Sequence, residues 1–176
     1  MDRITIAPDD LVVPAFPVWE TSWLLLASGD FASRDYNCMT VGWGGFGVMW
    51  NKPMAMIVVR PTRHTFSFLD RYDTFTLSAF PDAYRKALSF CGSHSGREGD
   101  KAKAAGITAI ASRAVASPGF EEAELIIECH IMYNQDFDPA RFIDASIEKN
   151  YPRKDYHRVY YGEVLAVSGT PRWRRE

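Results

Sequence analysis

The constraint that most limits this chain is a recurrence of short runs rich in β-branched and aromatic residues, each closed by Gly, Pro, Asn or Asp. The runs are Trp23–Ala27, Met54–Val59, Thr74–Phe80, Ile107–Ser112, Leu125–Met132 and Arg158–Val167. Runs of this composition, bounded by turn residues, predict strands. Only two stretches carry helical spacing: His64–Arg71, with Phe68 and Tyr72 in phase, and Tyr84–Phe90, with Tyr84, Ala87 and Leu88. A third short helix is expected over Lys101–Ala105. Long strands with few long helices between them favour a mainly β barrel over a doubly wound parallel sheet. Pro139–Tyr156, with its prolines and scattered charges, is expected to be a surface excursion.

With 176 residues the chain can enclose a hydrophobic core without staples. Pro and Gly are spread evenly and no repeat or linker interrupts, so residues 1–176 are expected to form one domain. A formal net charge of −2 gives no reason to collect on nucleic acid or on an anionic membrane. The basic run Arg172, Arg174, Arg175 reads as a solvated terminus. No run approaches the roughly 18 apolar residues of a membrane span, and the start of the chain lacks the basic and apolar regions of a secretory signal. Cys38, Cys91 and Cys129 are odd in number and form no CxxC pair, which argues against a disulfide framework. The expected location is the cytoplasm.

Three segments carry chemistry. In Val58-Val59-Arg60-Pro61-Thr62-Arg63-His64-Thr65, two guanidinium groups and two hydroxyls fall where a buried strand ends and a helix starts. Guanidinium groups meet phosphate oxygens in a bidentate way, and the free N–H groups at a helix start favour an anion. Pro61 fixes its own φ and removes a donor. The competing reading is that Thr62 caps the helix and both arginines are solvated.

In Asn37-Cys38-Met39-Thr40-Val41-Gly42-Trp43-Gly44-Gly45, glycines that admit close approach stand among polar groups and a large aromatic residue. Asn37 and Thr40 suit the polar edge of a heterocycle, and Met39 and Trp43 its apolar face. The alternative is a glycine-bulged strand with Trp43 in the core. The third segment, Phe90 to Lys101, gathers Cys91, Gly92, Ser93, His94, Ser95, Gly96, Arg97 and Lys101 in what reads as a loop over a pocket, or as turns with Asp100 capping the next helix. Ser78 offers a hydroxyl from a neighbouring strand. Cys91 and His94 have the offset of two metal ligands, but no second pair completes a set, so no metal is expected. No carboxylate stands ready to orient a Cys91–His94 nucleophile pair, and neither a Walker loop nor a GxGxxG in the context of a nucleotide fold is present.

Taken in order, Asn37-x-Met39-Thr40-x-x-Trp43, Trp50-Asn51-Lys52-Pro53, Val59-Arg60-Pro61-Thr62-Arg63-x-Thr65, Phe75-Thr76-x-Ser78 and Ser95-Gly96-Arg97-x-x-x-Asp100-Lys101 resemble the flavin reductase-like, flavoredoxin-type proteins. The resemblance runs from about Trp23 to Gly106, and Tyr161-Gly162-Glu163-Val164 looks like that family's last core strand. Gly42 stands where many relatives carry serine, and Ala102 where an aromatic is common.

The resemblance implies an FMN-binding split β-barrel that forms a homodimer with the flavin near the subunit interface. Carried over by position, Arg60 to Thr65 would hold the phosphate, and Asn37, Met39, Thr40 and Trp43 would line the ring and ribityl chain. Ser78, Ala79, the Cys91 to Arg97 loop and Lys101 would complete the pocket. The implied activity is transfer of electrons from NAD(P)H through FMN to a flavin or a redox partner protein, with FMN rather than a side chain doing the chemistry and His94 as a side chain able to touch the donor. Two other readings stay open on the same fold: an electron carrier or flavin sensor that takes no hydride from nicotinamide, and a pyridoxamine phosphate oxidase-like protein.

Overall fold

The computed structural model describes residues Met1–Glu176. Ten strands and three α-helices follow in the order β1 Ile4–Ile6, β2 Leu24–Asp30, β3 Asp35–Val41, β4 Gly44–Met49, β5 Lys52–Val59, α1 His64–Arg71, β6 Thr74–Ala79, α2 Arg85–Ser93, α3 Lys101–Ala104, β7 Ala109–Ile110, β8 Gly119–Phe120, β9 Leu125–Asp136 and β10 Arg158–Gly169. Seven strands pair in the order β3-β2-β6-β9-β10-β5-β4, and β1 pairs with the far end of β10. Every pairing is antiparallel.

The sheet curls because its strands share one interior. Leu24 and Leu26, Met39 and Val41, Ile57 and Val59, Phe75 and Leu77, Leu125 and Ile127, and Tyr160 and Val164 all enter the same core. Alternation of side chains along a strand sends the intervening residues outward. On β2 the outward side is also covered, since Leu25 and Ala27 pack with Cys38 beneath Leu88 and Cys91 of α2. That explains why β2 is a continuous apolar run, and each buried leucine contributes about 2 kcal/mol relative to exposure. Close packing at the barrel centre depends on Gly162, where a β-carbon would sit 2.5 Å from the Phe75 ring. The β9–β10 register shifts at the same place.

The two ends of the strand order, β3 and β4, are consecutive in the chain and joined only by Gly42 and Trp43, without hydrogen bonding between them. This seam is the split in the barrel. Trp19 fills one end of it, packing 5.1 Å from Phe46 and over Gly44, whose β-carbon would overlap the indole.

The expected helix His64–Arg71 is α1, and Asp100 caps α3 by accepting from Lys103 N at 3.1 Å. The strand expected over Ile107–Ser112 shrinks to two residues, because its partner β8 offers only Gly119 and Phe120. The hairpin β4–β5 turns on Trp50 and Asn51, both at positive φ (53° and 59°), the conformation of a tight two-residue turn. The terminal arginines Arg172, Arg174 and Arg175 are exposed, as expected, and two of them also pair across the surface: Arg172 with Glu124, and Arg175 with Asp10 at 3.0 Å. All three cysteines are free and buried. No helix is long and apolar enough to cross a membrane.

Pro139–Tyr156 is more built than a surface excursion. Two 3-10 turns, Pro139–Arg141 and Ala145–Asn150, lead to a buried Tyr151. Phe142 stacks on Tyr151 at 5.9 Å, and Tyr156 and His157 complete the cluster.

Candidate functional site

Two cavities lie along β3, the edge strand at the split. The first, of about 240 Å³, is lined by Asn37, His64, Gly96, Asp100 and Lys101, with Arg34 and Tyr36 at its outer side. The second, of about 230 Å³, is lined by Met39, Thr40, Gly42, Trp43, Val58, Arg60 and His157. At about 3.4 Å per residue, Asn37 and Val41 stand roughly 14 Å apart along the strand. The two cavities are separate and have no lining residue in common, but both lie along this one strand.

The first cavity is built for an anion. Helix α1 begins there with no side-chain cap, so the expectation that Thr62 caps it does not hold; Thr62 is exposed and the cap position is Arg63. Uncapped N–H groups and the positive end of the helix dipole attract negative charge. Lys101 is only 6% exposed and has no carboxylate partner; its ammonium donates to Cys91 O at 3.1 Å and His94 O at 3.2 Å. A buried cation without a counter-ion is costly unless an anion completes it. Burial pushes its pKa down, against the neighbouring Cys38 and Cys91 thiols. His64 Nδ1 is buried with no hydrogen-bond partner. Burial, then the charges of Arg97, Lys101 and Arg71, hold this histidine below its ordinary pKa. Asn37 is fixed by donating from Nδ2 to Thr65 Oγ1 at 2.7 Å, and Gly96 packs so closely on the amide that a β-carbon would overlap it.

Between the cavities, Thr40 donates to Leu88 O at 2.5 Å and Arg63 to Gly92 O at 2.5 Å, which ties β3 and the start of α1 to α2. Arg63 is half-buried, and burial followed by the charge of Arg60 lowers its pKa. The second cavity is flatter and more apolar. Trp43 is 50% exposed, which removes it from the core and leaves its ring free at the seam, 5.2 Å from the His157 ring. Met39 is buried, contributing to the barrel interior as well as to the cavity wall.

Several expected site residues stand elsewhere. The Arg60 guanidinium is engaged away from Arg63: it bonds Asp155 at 2.9 Å and Asn150 O at 2.8 Å, and lies 5.0 Å from the Tyr151 ring centre. Pro61 and Thr62 are exposed at the turn. Ser78 and Ala79 are buried within β6 and line neither cavity; a central strand covered on both faces leaves them no access. Cys91 is fully buried on α2, and Ser93 Oγ bonds back to Ser89 O at 2.9 Å. His94 is exposed, stacked on Phe90 at 3.8 Å. Ser95 accepts from Arg97 N, and the Arg97 side chain is exposed. His64 and His157 were missed by the sequence reading. His64 follows the arginine-rich turn directly, whereas His157 reaches the site only through the fold of the excursion.

The donor set of the first cavity fits a phosphate, and the aromatic seam of the second fits a flat ring. Comparisons with known proteins show the family and the fold. A family model described as flavin reductase like domain matches residues 22–172. Flavoredoxin from Methanosarcina acetivorans superposes with a TM-score of 0.69 at 18% identity, over 100% of this chain and 82% of that one. Flavoredoxin of Desulfovibrio vulgaris (Miyazaki F) gives 0.66 at 20%, over 92% and 73%. An FMN-binding domain of a flavin reductases-like enzyme from Shewanella baltica gives 0.68 at 13%, over 96% and 77%. No curated protein sequence matches the chain significantly. At these identities the superpositions establish a shared split-barrel fold, and with the family match spanning most of the residues the chain belongs to the flavin reductase-like family.

Proposed function

We propose that the protein is an FMN-dependent oxidoreductase that accepts electrons from NADH or NADPH and passes them to a flavin or a redox partner protein. The observation that carries this reading is the buried, unpaired Lys101 ammonium beside the uncapped start of α1 and the unpartnered His64 Nδ1. Lys101, the N–H groups of α1 and Arg63 hold the phosphate. Asn37 and Thr40 fix the polar edge along β3, and Met39 and Trp43 bear on the ring. FMN, when bound, supplies the two-electron chemistry. Met39 and Trp43 would orient the ring, and orientation rather than side-chain acid–base chemistry would set the rate. The FMN-binding relative from Shewanella supports the choice of flavin.

The same reading includes a homodimer. Val48, Met49, Trp50 and Tyr133 are exposed apolar side chains at and beside the β4–β5 hairpin, a strip that two-fold pairing covers. Three reduced thiols suit the cytoplasm.

The test is anaerobic stopped-flow reduction of the FMN-loaded protein by each nicotinamide. Bleaching faster than that of free FMN supports the reductase. Tight FMN binding without such bleaching makes the protein an electron carrier or sensor, and failure to retain FMN rejects the site.

A further inference from the structure

Two of the three free thiols meet in a contact that the proposed function does not use. On β3, Cys38 and Thr40 point to the same face, and on α2, Leu88, Cys91 and Gly92 share one side at three- and four-residue spacing. The two faces lie against each other. Thr40 bonds Leu88 O at 2.5 Å, and a β-carbon on Gly92 would stand 3.3 Å from Thr40 Cβ. One step along the same faces, Cys38 and Cys91 are both buried in the apolar cluster beneath α2, and their thiols hydrogen-bond one another.

The surroundings of this pair favour a nucleophile. The Lys101 ammonium donates to the Cys91 carbonyl at 3.1 Å and has no carboxylate partner, so a buried cation stands beside two sulfurs. The hydrogen bond from Cys38 lowers the Cys91 pKa; burial opposes this and the Lys101 charge assists it. The same bond, then burial, raises Cys38. One sulfur is thus the better thiolate and its neighbour keeps the proton. Cys38 also stands in the wall of the anion cavity, with Asn37, Asp100 and Lys101. Cys129 has none of these features: it is buried in the barrel interior, where burial pushes its thiol up.

We propose that Cys38 and Cys91 are a site of oxidation, a dithiol that closes to a disulfide when the anion cavity is empty and thereby loosens the hold on the phosphate. The oxidant is a hydroperoxide, of which hydrogen peroxide, formed when a reduced flavin meets dioxygen, is the smallest. The Cys91 thiolate attacks a peroxide oxygen, the O–O bond breaks, and the departing hydroxide takes up the proton that the thiol had lost. The Cys38 sulfur then attacks the resulting sulfenic acid, the S–O bond breaks, and the Cys38 proton leaves with the oxygen as water. Two thiols give up two electrons and the peroxide becomes two waters. The sulfurs draw together to about 2.05 Å, which pulls Cys91 and Gly92 toward β3. Their carbonyls hold Lys101 and Arg63, the two side-chain cations assigned to the phosphate. A bound phosphate covers Cys38 and draws Lys101 away from the thiolate, so the loaded protein is protected. The dithiol stands on the thiol contact alone, and its effect on the flavin rests on the flavin reading above.

The experiment treats the full chain with hydrogen peroxide, with and without saturating FMN, and follows the thiols by intact mass and peptide mapping. The flavin-free chain is expected to lose two hydrogens, with Cys38 joined to Cys91 and Cys129 still open to alkylation after unfolding. Saturating FMN should slow the reaction about tenfold by covering the thiols. The oxidised chain should bind FMN about tenfold more weakly and riboflavin within twofold, and dithiothreitol should restore both. Cys38→Ser should form no bond and accumulate a Cys91 sulfenic acid that dimedone captures. In Cys38→Ser and in Cys91→Ser alike, the FMN affinity should be the same before and after peroxide. Free Cys38 and Cys91 after a treatment that fully oxidises glutathione, or a bond to Cys129 or between chains, overturns the assignment. A Cys38–Cys91 bond that leaves both flavin affinities unchanged, or lowers them equally, overturns the link to the phosphate. A reduced chain that retains no flavin defeats the flavin reading and that link with it, while peptide mapping still decides the dithiol.

Discussion

Arg60 Nη1 donates to Asp155 Oδ1 across 2.9 Å and joins the end of β5 to the segment between β9 and β10, 95 residues further along the chain. The pair is partly shielded, with the Asp155 side chain the more buried, and Arg60 also caps Asn150 O and faces the Tyr151 ring. Its hydrogen bond to Arg60 holds the Asp155 carboxyl below the usual range despite some burial. Arg60 thus anchors the excursion that brings His157 to the second cavity.

Arg60→Ala is therefore expected to loosen residues 139–156 rather than to uncouple phosphate binding. The loss should be about 1 to 2 kcal/mol, combining a partly shielded ion pair with a cation–π contact. Limited proteolysis should cut faster within 139–156, and Asp155→Ala should reproduce the pattern. Affinity for FMN and for riboflavin should fall by the same factor. A loss confined to FMN would return Arg60 to the phosphate.

Lys101 gives the opposite pattern. Lys101→Met keeps the length of the side chain and removes the buried charge, so FMN should bind about thirtyfold more weakly, equivalent to about 2 kcal/mol for a hydrogen bond to a charged group. Riboflavin, which lacks the phosphate, should change by less than twofold. Calorimetric titration of both flavins measures the ratio. Equal losses would mean that Lys101 serves only to bind the Cys91 and His94 carbonyls.

Much of this arrangement was legible from local pattern. The start of α1 after the arginine-rich turn was legible because strand end, helix start and cations are contiguous in sequence. The strand runs announced the barrel because apolar runs and turn residues alternate at short range. Strand β4 was not legible: Trp50 and Asn51 carry no glycine to mark the turn between β4 and β5. Nor was the Arg60–Asp155 pair, since two solvated charges and a long-range ion pair look alike in a sequence. The burial of Ser78 and Ala79 was hidden for a related reason. A strand alternation does not reveal that both faces are covered, by the barrel interior on one side and by the second apolar cluster on the other.

Gly162 tests the barrel rather than the site. A β-carbon there meets the Phe75 ring at 2.5 Å and Cys129 Cβ at 3.0 Å, and both neighbours are buried. Gly162→Ala should cost about 1 to 3 kcal/mol through overpacking. At this chain length that lowers Tm by roughly 2 to 4 °C per kcal/mol. Phe75→Leu in the same background should recover part of the loss by clearing space. Thermal unfolding of the two variants decides it, and an unchanged Tm for Gly162→Ala would show that the bulge at Met132 of β9, beside Gly162, absorbs the extra atom.

His157 sets the acid limit of the second cavity. Its Nδ1 lies 2.8 Å from the Tyr151 hydroxyl, and burial first, then the Arg60 charge, pushes its pKa down to about 4, against a weaker pull from Asp155. The folded protein keeps this imidazole neutral while the unfolded chain protonates it near the ordinary value of about 6.5. Between those two values the unfolded state binds a proton that the folded state refuses, so stability falls as the pH drops from about 6.5 towards 4 and is indifferent to His157 above that window. The Arg60–Asp155 pair persists through the same range, because the Asp155 carboxyl is held below its ordinary value. His64 is also shifted down and contributes in the same direction, so the two must be separated by substitution. His157→Gln preserves a partner for Tyr151 and removes the titration. It should flatten the decline in Tm between pH 6.5 and 4 relative to the wild type, and His64→Gln should flatten the remainder. In the proton NMR spectrum the ring resonance of His157 should titrate near pH 4. A midpoint near 6.5 would show an imidazole open to solvent, and with it a second cavity that the 139–156 segment does not close.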